Sequence, residues 1–169
     1  GFLQRLLDIK GLSLNEFNLL RLERRDKLRQ AISWYKMKET GYKAFSDIPA
    51  AGAKQVDLCF EDLEQTLLDI YNDEYGWKLV FDSYGIKPKT IYYEDFMSQS
   101  NQAAVMQEVI DCLSLPCDWS DDRERSLLDT HYRVQSDDWN DLVYDAFRSR
   151  VLERGEIDES LLREQSRQR

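Results

Sequence analysis

A short apolar run that turns directly into a basic, amphipathic segment constrains the fold of this chain most strongly. The run ends at residues 20–22 and leads into residues 24–35, with the sequence RRDKLRQAISWY. Asp26 is the predicted N-cap of a helix, and Gly41 is the predicted left-handed residue that ends it. Four apolar residues recur at helical spacing and predict the buried face of this helix: Leu28, Ala31, Ile32 and Tyr35.

The apolar run before this helix has two interpretations. Ser13 and Glu16 have the spacing of a capping box, which predicts a helix over residues 14–22. Residues 17–22 fit a buried strand equally well, and hydrophobic periodicity alone does not choose between the two. If the run is a strand, several cations follow it at a strand-to-helix junction. Backbone N–H groups and arginines at such a junction favour a bound anion.

The basic junction and the hydroxyl eight residues after it resemble a nucleotide-binding segment. Arg25 and Ser33, in the setting RRDKLRQAISWY, are similar to the 3′-phosphate-binding segment of sulfotransferases that use 3′-phosphoadenosine 5′-phosphosulfate. The segments RQAIS and KETGY, at residues 29–33 and 38–42, resemble the bacterial trehalose 2-sulfotransferase-like family. Residues 93–96, YEDF, and the segment from Gln135 to Phe147 match this family as well.

The resemblance implies an α/β, P-loop-type sulfotransferase fold, rich in helices, with an incomplete parallel sheet covered by helices. It places a strand in residues 17–22. The length of 169 residues predicts one domain, so residues 1–155 are expected to form a single sulfotransferase-like domain, the C-terminal part of that fold, followed by a charged tail at residues 156–169. The implied activity is transfer of a sulfuryl group to a hydroxyl of a carbohydrate or glycolipid acceptor. The co-substrate would be 3′-phosphoadenosine 5′-phosphosulfate, and no metal is expected.

Site residues are also implied by this resemblance. Residues 42–56, which follow the helix and show no periodicity, would help to receive the acceptor, or would form a plain surface connection. The candidates for donor binding are Arg25 and Ser33, then Arg24 and Arg29, then Arg133 and Gln135, and the candidates for acceptor binding are Thr40 and Tyr42.

A second phosphate-binding loop is not recognisable in the sequence. Sulfuryl transfer needs a Gly- or Ser-rich loop that cradles the 5′-phosphosulfate. The seven glycines are scattered, and no Gly-x-x-x-x-Gly-Lys motif occurs. In the family resembled, this loop and the catalytic base lie nearer the N-terminus, so the catalytic residues remain unknown. We expect a fragment of a longer enzyme, rather than an inactive natural remnant, and no sulfate transfer by these 169 residues alone.

Charge and composition restrict the partners. The chain has 23 basic and 32 acidic residues, a net charge of −9, which argues against nucleic acid or an anionic membrane as partner. Residues 21–29 carry five cations and two acids, so this segment suits a small anion. Three cysteines without a Cys-x-x-Cys pair and one histidine disfavour a disulfide framework or a zinc site, and indicate a cytoplasmic location. No apolar run reaches the roughly 20 residues of a membrane span.

Further elements follow along the chain. A long helix over residues 57–84, closed by Gly85, carries an aromatic stripe that is interpreted as core packing. A strand at 90–93 leads to Glu94 and Asp95, which are interpreted as structural rather than as acid and base. Helices are predicted over 103–113 and from Trp139 onward. His131, the only histidine, is interpreted as a packed or exposed residue rather than a base.

A second function class stays open at this point. The chain could be a non-enzymatic, acidic helical module that binds a protein partner through exposed aromatic residues. Exposure of Trp34, Trp77 and Trp139 would help to separate this hypothesis from the sulfotransferase. We also predict a homodimer that pairs through an exposed sheet edge.

Overall fold

The computed structural model describes residues 18–41, 56–98, 100–115 and 138–154. The described residues divide into two compact units: the first runs up to Arg25 and from Tyr71 to residue 115, and the second runs from Asp26 to Ile70 and from residue 138 onward. The first unit contains both strands, and the second contains most of the buried side chains. The elements in the described ranges are β1 (Leu20–Glu23), α1 (Lys27–Thr40), α2 (Phe60–Tyr84), β2 (Lys89–Tyr92), α3 (Tyr93–Met97), α4 (Gln102–Leu113) and α5 (Asp138–Glu153).

β1 and β2 form a parallel pair in the first unit. Leu20 lies opposite Lys89, and Glu23 lies opposite Tyr92. A parallel pair requires a long crossover, and here residues 24–88 connect the two strands. The helix-rich composition with a small parallel sheet confirms the α/β class. The pairing of β1 with β2 shows that residues 20–23 form a strand. The interpretation of residues 14–22 as a helix is therefore wrong for residues 20–22.

Local capping signals define both ends of α1. The Asp26 carboxylate accepts a hydrogen bond from the backbone N–H of Arg29 at 3.0 Å, which satisfies one of the free donors at the helix start. Gly41 adopts φ 77°, and its N–H donates to the Met37 carbonyl at 2.8 Å. A residue without a side chain adopts this left-handed conformation at little cost. Both predicted caps are confirmed.

α1, the first part of α2, and α5 enclose the core of the second unit. Tyr35 is almost fully buried, and its hydroxyl donates to the Asp57 carbonyl at 2.7 Å and accepts the Cys59 N–H at 3.0 Å. These bonds fix the segment that leads into α2. The buried members of this core are Ala31, Ile32, Tyr35, Val56, Leu63, Ile70, Val143 and Phe147.

The aromatic stripe of α2 is buried over only part of the helix. Leu63 and Ile70 are buried, as the core interpretation predicts. Trp77 and Tyr84 are 49% and 42% exposed, so that interpretation is wrong for the last part of the helix. The Trp77 ring stacks on Phe81 of its own helix at 5.8 Å, and the buried core that packs α2 ends at Ile70. A helical stripe becomes core only where another element covers it.

α2 starts at Phe60, three residues later than predicted, and ends as predicted at Gly85. That glycine has φ 65°, and the Ile86 N–H donates to the Phe81 carbonyl at 2.9 Å, as in a Schellman cap.

β2 and α3 differ by one residue from the sequence-based expectation. β2 ends at Tyr92, and Tyr93 begins a five-residue helix instead of ending the strand. The helices predicted over 103–113 and from Trp139 onward are confirmed as α4 and α5. Within the described ranges, every helix is too short or too polar to span a bilayer.

Several predictions fall on residues outside the described ranges. These include the acceptor segment at 42–55 with Tyr42. Arg133, Gln135, His131 and the charged tail also lie there. The single domain over residues 1–155 and its boundary therefore stay predictions.

Candidate functional site

Opposite charges meet at one edge of the parallel strand pair. Glu23 at the end of β1 lies opposite Tyr92 at the end of β2, so the segments that follow the two strands leave from the same edge. The pair Arg24-Arg25 follows β1, and Glu94 and Asp95 follow β2 on α3. Ligands of α/β sheets bind outside the carboxyl ends of the strands. This cluster therefore lies where the fold class places a binding site.

Arg25 is held by three groups of its own unit. Its backbone N–H donates to both carboxylate oxygens of Glu94, at 3.0 and 3.1 Å. Its Nη1 and Nη2 donate to the two oxygens of Asp95, at 2.8 and 2.7 Å. The Cζ atom lies 3.9 Å from the ring centroid of Tyr92, within the range of a cation–π contact. These contacts fix the main chain of Arg25, one edge of its guanidinium and one face of its guanidinium.

The Arg25–Asp95 pair affects orientation more than stability. The hydrogen bond with Asp95 raises the pKa of Arg25, and the same bond lowers the pKa of Asp95. The two side chains are 42% and 36% exposed, and ion pairs at such exposure contribute about 0–1 kcal/mol to folding. The contact supports the structural interpretation of Glu94 and Asp95. It also means that the first candidate for phosphate binding is already paired with a carboxylate.

Arg24 has a donor that its surroundings leave unsatisfied. Its Nε is buried and has no hydrogen-bond partner among the described residues. The nearest carboxylate oxygen, on Glu94, lies 4.0 Å away, beyond hydrogen-bond distance. The guanidinium packs 4.8 Å from the ring centroid of Tyr93. Arg24 therefore adds a second guanidinium, 21% exposed, next to Arg25 in the sequence.

Three other candidates lie on α1 in the second unit. Arg29 and Ser33 are four residues apart and therefore neighbours on one helix face. Arg29 donates to Asp141 of α5 at 2.8 Å and packs 4.6 Å from the Tyr144 ring centroid, whereas Ser33 is exposed. The Thr40 hydroxyl donates to a backbone carbonyl of α1 at 2.7 Å.

A second cation of α1 is also anchored to α5. Lys36, three residues after Ser33, donates to Asn140 at 3.4 Å and lies 5.4 Å from the Trp139 ring centroid. The exposed hydroxyl of Ser33 therefore lies between two cations, Arg29 and Lys36, that α5 holds in place.

The structure groups the predicted residues in two places. Arg24 and Arg25 lie together in the first unit, and Arg29, Ser33 and Thr40 lie on α1 in the second. Sequence reasoning named Glu94 and Asp95 as structural but did not pair them with Arg24 and Arg25, and it missed the aromatic rings that contact these cations. A signal for that pairing existed. The YEDF segment follows a strand just as the Arg24-Arg25 pair does, and parallel pairing brings the two segments to one edge.

Metal and thiol chemistry have no visible centre in the described ranges. No group of three or more His, Cys, Asp or Glu side chains there could hold a metal ion. Cys59 and Cys112 are free thiols there. For the whole chain, the expectation of no metal stays a prediction.

A comparison with known protein families identifies the family of this chain. Residues 9–146 match the family described as Stf0 sulphotransferase, and this range includes both strands and both groups of candidates. The chain belongs to the Stf0 sulphotransferase family. This membership confirms the resemblance drawn from the segments at 24–35 and 93–96. No curated protein matches this chain.

Proposed function

We propose that this Stf0 family chain binds 3′-phosphoadenosine 5′-phosphosulfate and serves the transfer of its sulfuryl group to a hydroxyl of a carbohydrate or glycolipid. The observation that carries the proposal is the pair Arg24-Arg25 at the carboxyl edge of the parallel strands. Family membership supports the sulfotransferase class. The proposal includes the identity of the donor, the type of acceptor, a cytoplasmic location and a homodimer.

The donor set fits the 3′-phosphate of such a nucleotide. A phosphate dianion accepts hydrogen bonds and pairs best with arginine forks. Arg25 keeps three of its five guanidinium N–H donors after pairing with Asp95, and Arg24 adds a second guanidinium that is 21% exposed. Ser33 lies on α1 in the second unit with an exposed side chain, and its role in donor binding stays a prediction. When bound, the nucleotide supplies the activated sulfuryl group, and these residues bind and orient its phosphate.

The other candidates receive supporting roles in the proposal. Arg29 is paired with Asp26 and Asp141, so its charge is largely balanced within its own unit, and we assign it the orientation of α1. Thr40 and Tyr42 are proposed to contact the acceptor, and Arg133 and Gln135 to contact the nucleotide.

The first test is calorimetric titration of adenosine 3′,5′-bisphosphate into the chain and its Arg25→Ala variant. Hydrogen bonds to charged groups contribute about 1.5–3 kcal/mol, so we expect the variant to bind about 10- to 150-fold more weakly. Binding is the appropriate readout, because no residue of the chain is assigned as the catalytic base.

Lys89→Ala is the matched control for this titration. It removes a positive charge from an exposed ion pair with Glu108, at 2.8 Å, and Lys89 begins β2 at the end of the sheet opposite to Arg25. We expect this variant to bind like the unaltered chain. Equal losses in both variants would show that only net charge matters, and would contradict a phosphate site at Arg25.

A second candidate function, protein–protein contact, is favoured by one surface of α2. Tyr71, Tyr75 and Leu79 are four residues apart and 49%, 62% and 50% exposed, so α2 presents an apolar stripe. Self-association through this stripe is measured by sedimentation velocity. We expect a concentration-dependent dimer that Tyr75→Glu dissociates, in place of a dimer through the sheet edge. A dimer that this variant leaves intact would contradict the role of the stripe, and a monomer at all concentrations would contradict the homodimer.

A further inference from the structure

The guanidinium of Arg25 has two edges that can bind an oxyanion, and the described residues occupy one of them. Asp95 takes the edge formed by Nη1 and Nη2, end-on, at 2.8 and 2.7 Å. The other edge, formed by Nε and Nη2, has no acceptor among the described residues. Arginine carries five N–H donors in a rigid plane, so pairing at one edge leaves the second geometrically complete.

The groups around Arg25 fix its plane as well as its edge. The Tyr92 ring covers one face of the guanidinium, with Cζ 3.9 Å from the ring centroid. Glu94 holds the backbone N–H of the same residue through both carboxylate oxygens. A long side chain normally loses rotamer freedom when it binds a ligand, which weakens the affinity. Here that ordering is already present before a ligand binds.

We propose that Asp95 is a positioning residue, which holds Arg25 end-on so that its Nε–Nη2 edge receives the 3′-phosphate of the donor nucleotide. The inference rests on the proposed function and names a residue of the same site that family membership does not assign. Asp95 does not touch the phosphate in this arrangement, and it acts only through Arg25. Arg25 then bridges a carboxylate and a phosphate, a role that lysine cannot fill because it lacks the planar fork.

The test measures two nucleotides against Asp95→Asn and Asp95→Glu by calorimetry. Adenosine 3′,5′-bisphosphate carries the 3′-phosphate, and adenosine 5′-monophosphate lacks it. We expect both variants to bind the bisphosphate about three- to tenfold more weakly, the factor that ordering one long side chain costs. Affinity for the monophosphate should stay unchanged. A merely structural role would reduce both affinities together.

Asp95→Asn removes a negative charge, which by itself favours an anion, and this makes the sign of the result decisive. Tighter binding of the bisphosphate would show that Asp95 competes with the phosphate, and would overturn the inference. Unchanged binding would overturn it too. Glu108→Gln, which breaks the exposed pair with Lys89 in the same unit, is the matched control and should change neither affinity.

A double-variant cycle tests whether Asp95 acts through Arg25. In the Arg25→Ala background, Asp95→Asn should cause no further loss of bisphosphate affinity, because only the removal of a negative charge remains to act, and that removal favours an anion. An additional loss would overturn the inference. If Arg25→Ala itself binds as tightly as the unaltered chain, the proposed phosphate site fails, and the inference fails with it. Binding that depends on Arg25 but not on Asp95 would overturn the inference alone.

Nuclear magnetic resonance reports directly on the Nε–Nη2 edge of Arg25. The ¹H–¹⁵N signal of the Arg25 Nε–H is assigned by its absence in Arg25→Lys. Bisphosphate should shift this signal in the unaltered chain, while the monophosphate should leave it in place. An Nε–H signal that does not respond to saturating bisphosphate would show that the phosphate binds elsewhere, and would overturn the inference. The melting temperatures of all variants are compared in parallel, so that loss of folding is recognised.

Discussion

Leu63→Ala is expected to lower the free energy of unfolding by about 2–5 kcal/mol, the usual cost of emptying a buried leucine site. Leu63 has no exposed surface and belongs to the core formed by α1, α2 and α5. Truncation removes buried apolar contacts and leaves a cavity among side chains of three helices. Chemical denaturation with urea, analysed by linear extrapolation, measures the change.

Leu68→Ala on the same helix is the control for this prediction. Leu68 is 50% exposed, and the substitution removes the same atoms from a surface position. We expect a change within about 0.5 kcal/mol, as for most surface substitutions. Similar destabilisation at the two positions would contradict the described orientation of α2 in its unit.

Tyr35→Phe is expected to destabilise the chain by about 1–3 kcal/mol, because two backbone groups lose their partner. The hydroxyl donates to the Asp57 carbonyl and accepts the Cys59 N–H, at 2.7 and 3.0 Å. A tyrosine hydroxyl is protonated at neutral pH and can donate, and burial raises the pKa of Tyr35 further in the same direction. The substitution keeps the ring and its packing, so the loss reports the hydrogen bonds.

Tyr75→Phe, at a position 62% exposed, is the control and should leave the unfolding free energy nearly unchanged. Urea denaturation of both variants gives the comparison. If Tyr35→Phe is as stable as the unaltered chain, the hydroxyl does not fix the segment before α2, and the position of that segment needs revision.

The parts of the fold that follow from local chemistry were predictable. α1 has a capping aspartate, a terminal glycine and apolar residues at helical spacing, and each signal acts within a few residues of its target. The end of α2 at Gly85 has the same local origin. The strand β1 is different, because its four residues satisfy both helix and strand patterns. Only the family resemblance predicted a strand at this position.

The parts that depend on distant contacts were not predictable. Asp95 lies 70 residues from Arg25, and only the parallel pairing of β1 and β2 brings them together. The start of α3 at Tyr93 follows a strand residue with no capping side-chain hydrogen bond, so no sequence signal marked it. The predicted burial of Trp77 is wrong for a related reason, because periodicity predicts a helix face but not whether another element covers that face.

The most direct test of the account is the ratio of affinities of the unaltered chain for adenosine 3′,5′-bisphosphate and adenosine 5′-monophosphate. These ligands differ only by the 3′-phosphate that Arg25 and Arg24 are proposed to bind. We predict that the bisphosphate binds at least about tenfold more tightly, the effect of one charge-assisted hydrogen bond or more. Equal affinities, or no binding of either nucleotide at millimolar concentration, would contradict a 3′-phosphate site in this chain.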